Sequence, residues 1–122
     1  MNVEQIMSRQ VETTTPQTTL QAAASHMRSA NVGVLPVVVE ARLVGMVTDR
    51  DITVRATAEG LDPKSAVVAD VMTPEVVHCY ADEDTDQAER LMEEKGLQRL
   101  VVFDRAGKLV GLLSFDDLAA LR

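Results

Sequence analysis

The chain has 122 residues, of which 46% are hydrophobic and 25% are charged, so an ordinary globular composition disfavours extensive disorder. Its formal net charge of −7 disfavours binding to nucleic acid or to an anionic membrane surface. The chain has one Tyr, two Phe and no Trp. It therefore has few aromatic rings on which nucleic-acid bases could stack, and its core must be aliphatic.

The first half of the chain predicts a strand, a helix, two strands and a closing helix. Apolar residues at helical spacing give the first helix one buried face, and Thr18 with Gln21 resembles a capping box at its start. Gly60–Lys64 combines Gly and Pro and is interpreted as a linker. The predicted elements are a short strand at Val11–Thr14, a helix with the face Leu20, Ala23, Ala24, Met27 and Ala30, strands at Val34–Val39 and Leu43–Val47, and a helix from Asp49 to about Ala58.

The second half predicts the same order of elements. Asp84 can cap its first helix, and Gly96 stands where a left-handed residue ends a helix. Asp104–Gly107 is typical of a turn between two strands. The predicted elements are a short strand at Val76–Cys79, a helix with the face Ala88, Leu91 and Met92, strands at Leu100–Phe103 and Leu109–Leu113, and a helix at Phe115–Leu121.

An internal repeat accounts for this parallel order. Val3–Met7 resembles Val68–Met72 at a spacing of 65 residues. After one added residue in the second copy the spacing becomes 66, and Gly45–Ile52 then matches Gly111–Leu118. A match along the whole length predicts two tandem copies of one structural unit. The resulting division is residues 1–60 for the first repeat, 61–65 for the linker and 66–122 for the second repeat.

The predicted fold class is α/β, with two β-α-β-β-α repeats. The strands carry nearly continuous apolar residues rather than strict alternation, which is typical of a sheet covered on both faces. Neither half has enough apolar residues for a core of its own. We therefore expect the two repeats to pack against each other with pseudo-twofold symmetry.

The single cysteine and the hydropathy are typical of a cytoplasmic protein. Cys79 has no second cysteine with which to form a disulfide or a metal site of several thiolates. The first residues lack a secretory signal, and no apolar stretch has the length of a membrane span. We predict a cytoplasmic protein with no metal site and no membrane association.

The repeated motifs resemble those of a tandem pair of cystathionine-β-synthase (CBS) domains, often called a Bateman module. The resemblance rests on the repeat starts Val3–Met7 and Val68–Met72, on Leu35–Val38, and on the signatures Gly45–Ile52 and Gly111–Leu118. It covers essentially the whole chain and is closest to stand-alone bacterial pairs. It implies a homodimer that binds adenine nucleotides or related adenosyl ligands in two clefts between the repeats.

The resemblance implies that four polar residues bind the ribose: Thr48, Asp51, Ser114 and Asp117. A carboxylate can accept hydrogen bonds from both ribose hydroxyls, and such charge-assisted bonds are strong. The neighbouring hydroxyl begins a helix, where free backbone amides favour phosphate oxygens. The same two spacings also fit helix capping alone, and both roles can coexist.

The resemblance also implies that Arg99 is a candidate phosphate ligand, and Arg50 is a second candidate. Val34 stands in the place of Arg99 in the first repeat, and Asp116 stands in the place of Arg50 in the second. The alternative for each arginine is a solvated surface charge. Because the two repeats differ at both positions, the two sites cannot be chemically equivalent.

Thr13 and His78 occupy the position that the family places near the adenine. A histidine there departs from the small polar residue usual in the family, so it changes the shape of one site. A metal role for His78 with Cys79 is disfavoured, because neighbouring strand residues point to opposite faces of a sheet.

The sequence thus supports two hypotheses for the function. The first is a regulatory module that senses AMP, ADP, ATP or another adenosyl compound, requires no cofactor, and acts on a protein that the sequence does not identify. The second is a structural CBS pair that mediates dimerisation or partner docking without a ligand. An enzyme is disfavoured, because no nucleophile with an oriented base, phosphate-binding loop or dinucleotide motif is present.

Overall fold

A computed structural model describes residues 1–74 and 77–121 of the chain. Packing divides the chain into two units, which we call the central unit, Glu12–Val76, and the terminal unit, Met1–Val11 with Val77–Arg122. Packing therefore joins the first eleven residues to the strands of the second repeat. This is a different division from that of the sequence repeats, whose boundaries stay a prediction.

The central unit contains one long helix and a two-stranded antiparallel sheet. A single parallel bridge from Thr14 to Val37 and an antiparallel bridge from Thr73 to Met46 extend this sheet on its two sides. A 3₁₀ turn at Val68–Asp70 leads to the second of these bridges. The elements are α1 (Leu20–Ala30), β1 (Val34–Val39), β2 (Arg42–Thr48) and α2 (Asp49–Asp51), which continues as a π-helical segment, Ile52–Thr57.

The terminal unit has the predicted order β-α-β-β-α. Its sheet has the strand order β3 (His78–Tyr80), β4 (Arg99–Phe103) and β5 (Leu109–Ser114), with β3 parallel to β4 and β4 antiparallel to β5. A 3₁₀ turn at Val3–Gln5 begins the unit, and Ser8 bridges Leu112. The elements are β3 (His78–Tyr80), α3 (Thr85–Lys95), β4 (Arg99–Phe103), β5 (Leu109–Ser114) and α4 (Phe115–Ala119). The α/β class is confirmed.

The start of α1 differs from the prediction by one residue. Thr19, not Thr18, is the N-cap, and its hydroxyl accepts a hydrogen bond from the Ala22 amide at 3.2 Å. The Thr18 hydroxyl instead pairs with Thr15 at 2.8 Å, so the predicted capping box with Gln21 is wrong. The buried face is also narrower than predicted, because Ala24 is exposed.

The α3 helix begins and ends as predicted. The Asp84 carboxylate accepts a hydrogen bond from the Asp86 amide at 3.0 Å. At the other end Gly96 has φ +65°, the left-handed conformation that lets the chain leave the helix. Ala88 and Met92 are buried and Leu91 packs against the same core, so the predicted face is confirmed.

The strand predicted at Val11–Thr14 is reduced to the single bridge of Thr14. The Thr14 amide donates to the Pro36 carbonyl, and the Val38 amide donates to the Thr14 carbonyl. A longer parallel strand would need an N–H from Pro36, which proline lacks. The terminal unit has Val101 at that place, and β3 there extends over three residues. Val76, the predicted start of β3, lies outside the described residues.

The closing helices also differ from the prediction. The predicted helix from Asp49 to Ala58 is α-helical for three residues and then π-helical. The Thr53 and Thr57 hydroxyls donate to carbonyls of the preceding turn, at Asp49 and Ile52 respectively, and so compete with the backbone pattern of an α-helix. In the terminal unit, α4 ends at Ala119, two residues earlier than predicted.

The core of each unit is aliphatic, as the composition requires. In both units a glycine of the second hairpin strand lets the backbone of the residue that bridges to that strand approach closely. A Cβ on Gly45 would lie 2.8 Å from the Thr73 carbonyl oxygen, and one on Gly111 would lie 2.8 Å from that of Ser8. The largest buried core side chains are Leu20, Leu35, Val37, Val47, Val68 and Val71 in the central unit and Val3, Met92, Leu100, Val102 and Leu113 in the terminal unit.

Candidate functional site

Two predicted site residues of the central unit, Thr13 and Thr48, lie on one face of its sheet. Val37 faces the core, so Val34, three residues earlier on β1, faces the other side. Thr48 pairs with Val34 across the hairpin and lies on that outer face. Thr14 pairs with Val37 on the core side, which places Thr13 on the outer face as well.

The terminal unit gathers its candidates in the same way. Leu100 and Val102 belong to the core, so Arg99 and Val101 lie on the outer face of β4. Arg99 pairs with Ser114 on β5, and His78 on β3 pairs with Val101. The register therefore brings His78, Arg99 and Ser114 onto one face of the sheet.

Thr48 and Asp51 form a reciprocal capping box at the start of α2. The Asp51 amide donates to the Thr48 hydroxyl at 3.0 Å, and the Thr48 amide donates to Oδ2 of Asp51 at 2.9 Å. Both residues are half-buried. The box occupies one oxygen of the carboxylate, so the helix-capping role is present in the structure and leaves Oδ1 for another partner.

Ser114 and Asp117 repeat this arrangement at the start of α4. The Asp117 amide donates to the Ser114 hydroxyl at 3.1 Å, and the Ser114 amide donates to Oδ2 of Asp117 at 2.9 Å. The two boxes therefore have the same atoms in the same roles, with distances that agree within 0.1 Å. Two half-buried carboxylates are held in equivalent positions by the backbone of their own units.

The surroundings of the two carboxylates differ. Nε of Arg55 lies 3.9 Å from Oδ1 of Asp51, and Nη1 of the same arginine donates to the Val71 carbonyl at 3.2 Å. At the repeat spacing of 66, Leu121 stands in the place of Arg55. Asp117 has no basic side chain within 4.0 Å among residues 1–74 and 77–121. Sequence reasoning missed Arg55, although an arginine four residues after Asp51 on a helix was a usable signal.

The two candidate phosphate ligands are exposed. Arg99 begins β4, and Arg50 is the second residue of α2, where its amide donates to the Asp49 carboxylate at 2.8 Å. Neither guanidinium makes an ion pair within the described part of the chain. Val34 is buried and Asp116 is exposed, so the expected chemical difference between the units is present at both positions.

His78 belongs to an aromatic cluster. Its ring meets Tyr80 and Phe103 edge-on, with centroid distances of 5.4 and 5.1 Å. The Arg105 guanidinium lies 4.2 Å from the Tyr80 ring centroid, and its hydrogen bond to Asp82 lowers the pKa of that carboxyl. The terminal unit thus places rings beside the candidate adenine position, where the central unit has Thr13.

An open groove of about 450 Å³ lies elsewhere in the central unit, between the end of α1 and the start of α2. A smaller groove of about 170 Å³ occupies the equivalent place in the terminal unit, beside Gly96 and Phe115. None of the predicted site residues lines either groove.

Within the described residues, no group of three or more His, Cys, Asp or Glu side chains is arranged to hold a metal ion. None of the described helices is both long and apolar enough to cross a membrane.

The sequence profile of the CBS domain matches this chain twice, at residues 3–56 and 68–122. The chain belongs to the CBS-domain family. The resemblance predicted from the repeated motifs is therefore confirmed. The CBS domain-containing protein YhcV of Bacillus subtilis is 41% identical over 118 residues, which are 97% of this chain and 83% of that protein.

Solved structures of CBS-domain proteins have the same fold as this chain. A protein with CBS domains from Burkholderia ambifaria superposes with a TM-score of 0.90 and is 30% identical, and the match covers 99% of this chain and 93% of that chain. The CBS domain pair of MJ0100, solved with 5′-methylthioadenosine and S-adenosylmethionine, has a TM-score of 0.86 at 26% identity, with coverages of 99% and 94%. CBSX2, solved with AMP, has a TM-score of 0.83 at 26% identity, with coverages of 98% and 94%.

Proposed function

We propose that this protein is a regulatory module that binds adenosyl ligands at the outer sheet face of each unit. The observation that carries the proposal is the duplicated box of hydroxyl and carboxylate, Thr48 with Asp51 and Ser114 with Asp117. Each box holds a carboxylate half-buried with one oxygen engaged by the backbone. Family members that bind AMP, S-adenosylmethionine and methylthioadenosine support the ligand class.

The carboxylates of Asp51 and Asp117 accept the ribose hydroxyls in this proposal. Oδ1 is the accepting atom, because Oδ2 already accepts from the backbone amide of the box. A charge-assisted hydrogen bond to a half-buried carboxylate is stronger than one between neutral groups. The capping box prevents rotation of the carboxylate, which lowers the entropy that ligand binding must remove.

The other candidates contact the two ends of the ligand. Arg99 and Arg50 are exposed cations free of ion pairs within the described residues, and we assign them to the phosphate groups of AMP, ADP or ATP. Thr13 and His78 lie on the same outer faces and are assigned to the adenine. Since these residues differ between the units, the proposal includes two sites of unequal affinity.

The biological role proposed is sensing rather than catalysis. The module responds to occupancy by a change of shape or assembly, requires no cofactor, forms a homodimer and acts in the cytoplasm on a protein that is to be identified. Its support is the family membership of the chain together with the absence from the sequence of a motif for covalent or redox chemistry.

Thermal unfolding in the presence of AMP, ADP, ATP, S-adenosylmethionine and NAD tests the proposal. A ligand at 100 times its dissociation constant stabilises the native state by about 2.7 kcal/mol. We expect at least one adenosyl compound to raise the unfolding midpoint. We expect the double variant Asp51→Ala/Asp117→Ala to stay folded and to lose this response. Single variants to Asn should bind more weakly than Asp and more tightly than Ala, because the amide oxygen accepts a hydrogen bond without the charge.

A structural CBS pair is the second candidate function, and one observation favours it. Both capping boxes are complete without a ligand, so Asp51 and Asp117 already have a structural role. This candidate predicts no response to any nucleotide in the panel. It also predicts that the alanine variants lower the unfolding midpoint equally with and without nucleotide.

A further inference from the structure

Arg55 is the basic side chain nearest to a candidate ribose carboxylate, and the proposed function leaves it unassigned. Its guanidinium donates a hydrogen bond to the Val71 carbonyl, and its Nε lies 3.9 Å from Oδ1 of Asp51. It belongs to the π-helical segment Ile52–Thr57. Short π-helical segments recur at functional sites, where the wider turn changes the position of a side chain.

The guanidinium keeps binding capacity beyond these two contacts. An arginine has five N–H donors, and one of them, on Nη1, makes the bond to Val71. The Nε approach to Asp51, at 3.9 Å, is too long for a hydrogen bond. The Arg55 side chain is 54% exposed, while the Asp51 side chain is 16% exposed. A ligand held by Asp51 therefore meets an accessible, oriented cation next to that carboxylate.

The terminal unit has its cation in a different place. Leu121 replaces Arg55 there, and Arg99 on β4 stands where the central unit has the buried Val34. Arg99 pairs with Ser114 across the sheet, whereas Arg55 follows Asp51 on the closing helix. Each unit thus has one arginine where its counterpart has an aliphatic residue, but on a different element.

We propose that Arg55 is a specificity-determining residue of the Asp51 site, which recognises the phosphate group of a phosphorylated adenosyl ligand. This inference rests on the proposed function. Arginine suits the role because its planar fork matches the oxygens of a phosphate group. The central unit thereby favours AMP over adenosine with Arg55 in addition to Arg50, both on its closing helix, and the terminal unit does so with Arg99 on its strand.

Titration calorimetry with AMP and with adenosine tests the inference in an Asp117→Ala background, which leaves the Asp51 site alone. We expect Arg55→Met to weaken AMP binding by about 10-fold, in line with loss of a hydrogen bond to a charged group, and to change adenosine binding less than twofold. Arg55→Lys should restore part of the AMP affinity, because it keeps the charge without the fork.

Arg42→Met is the matched control. It removes one positive charge from the opposite end of β2, roughly 20 Å along the strand from Thr48, and should leave both affinities unchanged. An equal loss for AMP and adenosine in Arg55→Met would make Arg55 a positioning residue for Asp51 and overturn the phosphate role. Unchanged AMP binding would also overturn it, with the proposed function intact. Binding of neither ligand by the parent chain would overturn the inference, and only the lack of a response to every adenosyl compound of the panel would refute the proposed function as well.

Discussion

The central and terminal units have the same hairpin, the same long helix and the same capping box, yet their outer sheet faces differ in chemistry. The boxes agree atom for atom, whereas Arg55 lies 3.9 Å from the Asp51 carboxylate in one unit and the corresponding sequence position in the other unit is Leu121. The face beside them carries Thr13 in one unit and the His78 ring cluster in the other. The duplicated fold thus keeps its framework residues and varies the residues assigned to a ligand.

The shared framework depends most strongly on a glycine in each hairpin. A Cβ on Gly111 would lie 2.5 Å from Sδ of Met7 and 2.8 Å from the Ser8 carbonyl oxygen, and the Ser8–Leu112 bridge would have to open. We expect Gly111→Ala to lower the free energy of unfolding by about 3 kcal/mol and Gly45→Ala by about 2 kcal/mol, at the upper end of overpacking effects. Urea unfolding measures both losses.

Gly33→Ala is the control for this pair. The three atoms nearest to its Cβ would belong to the Asp49 side chain, the closest at 3.2 Å, and that exposed side chain can move. We expect a change within about 0.5 kcal/mol, as for other surface substitutions. Equal losses at Gly33 and Gly111 would show that close backbone approach is not what the hairpin glycines provide.

The sequence predicted most of this framework, because the elements follow from local patterns. Strand β1 and the cap of α3 by Asp84 follow from apolar runs and from residue type, and both are as predicted. The prediction of a strand at Val11–Thr14 was wrong, because the length of that strand depends on Pro36, which is distant in the sequence and has no N–H to donate. The π-helical segment was missed because its threonines have ordinary helical spacing.

The candidate site was predictable only in part. The repeated signature identified Thr48 with Asp51 and Ser114 with Asp117, and the structure gives both pairs one geometry. Arg55 was missed although it follows Asp51 by four residues on a helix, because that spacing alone does not fix where the closing helix places its side chain. No comparison of the two repeats by residue type alone separates such a cation from a solvated surface charge.

Arg99, at the start of β4, is the exposed cation of the outer face of the terminal unit. We expect Arg99→Val to weaken AMP binding at the terminal unit by about 10-fold, since it removes a charged donor from the phosphate group. In the Asp51→Ala background, where only the Asp117 site remains, Arg99→Val should show the full loss of AMP affinity. In the Asp117→Ala background the same substitution should have no effect. Two indistinguishable sites in the parent chain would contradict the expected inequality of the units.

A third difference lies on the core side of the sheets, where Cys79 in the terminal unit corresponds to Thr14 in the central unit. Burial, and secondarily the Glu83 charge, raise the pKa of the Cys79 thiol from 9.0 to about 12. The folded protein therefore keeps a proton that the unfolded chain loses. The associated stability is fully present below pH 9 and is lost as the pH rises toward 12.

We expect the free energy of unfolding to fall by about 1 kcal/mol between pH 8 and pH 10 through this group alone. Urea unfolding at both pH values, compared with Cys79→Ala, isolates the effect because the other titrating groups are the same in both proteins. A thiol reagent should label the folded chain slowly and the urea-unfolded chain rapidly. Identical pH dependence in the two proteins would contradict the assignment.

The smallest expected effects come from the two hairpin turns, which both contain a left-handed backbone conformation but place different residues in it. In the central unit Glu40 and Ala41 form the two-residue turn with φ of 50° and 66°. In the terminal unit the longer turn has Gly107 at φ +87°, with open space where a Cβ would be. A left-handed conformation costs a residue other than glycine about 1–2 kcal/mol. Steric contacts contribute nothing at Gly107, so substitution there tests the backbone conformation alone.

We expect opposite signs for the two exchanges in these turns. Gly107→Ala should lower the free energy of unfolding by about 1 kcal/mol, because alanine must adopt the left-handed conformation. Ala41→Gly should raise it by about 0.5 kcal/mol, since relief of that cost exceeds the greater chain entropy that glycine loses on folding. Urea midpoints measure both changes. A loss of stability in Ala41→Gly would mean that the entropy of the unfolded chain outweighs the cost of the left-handed conformation. It would contradict the expected opposite signs of the two exchanges.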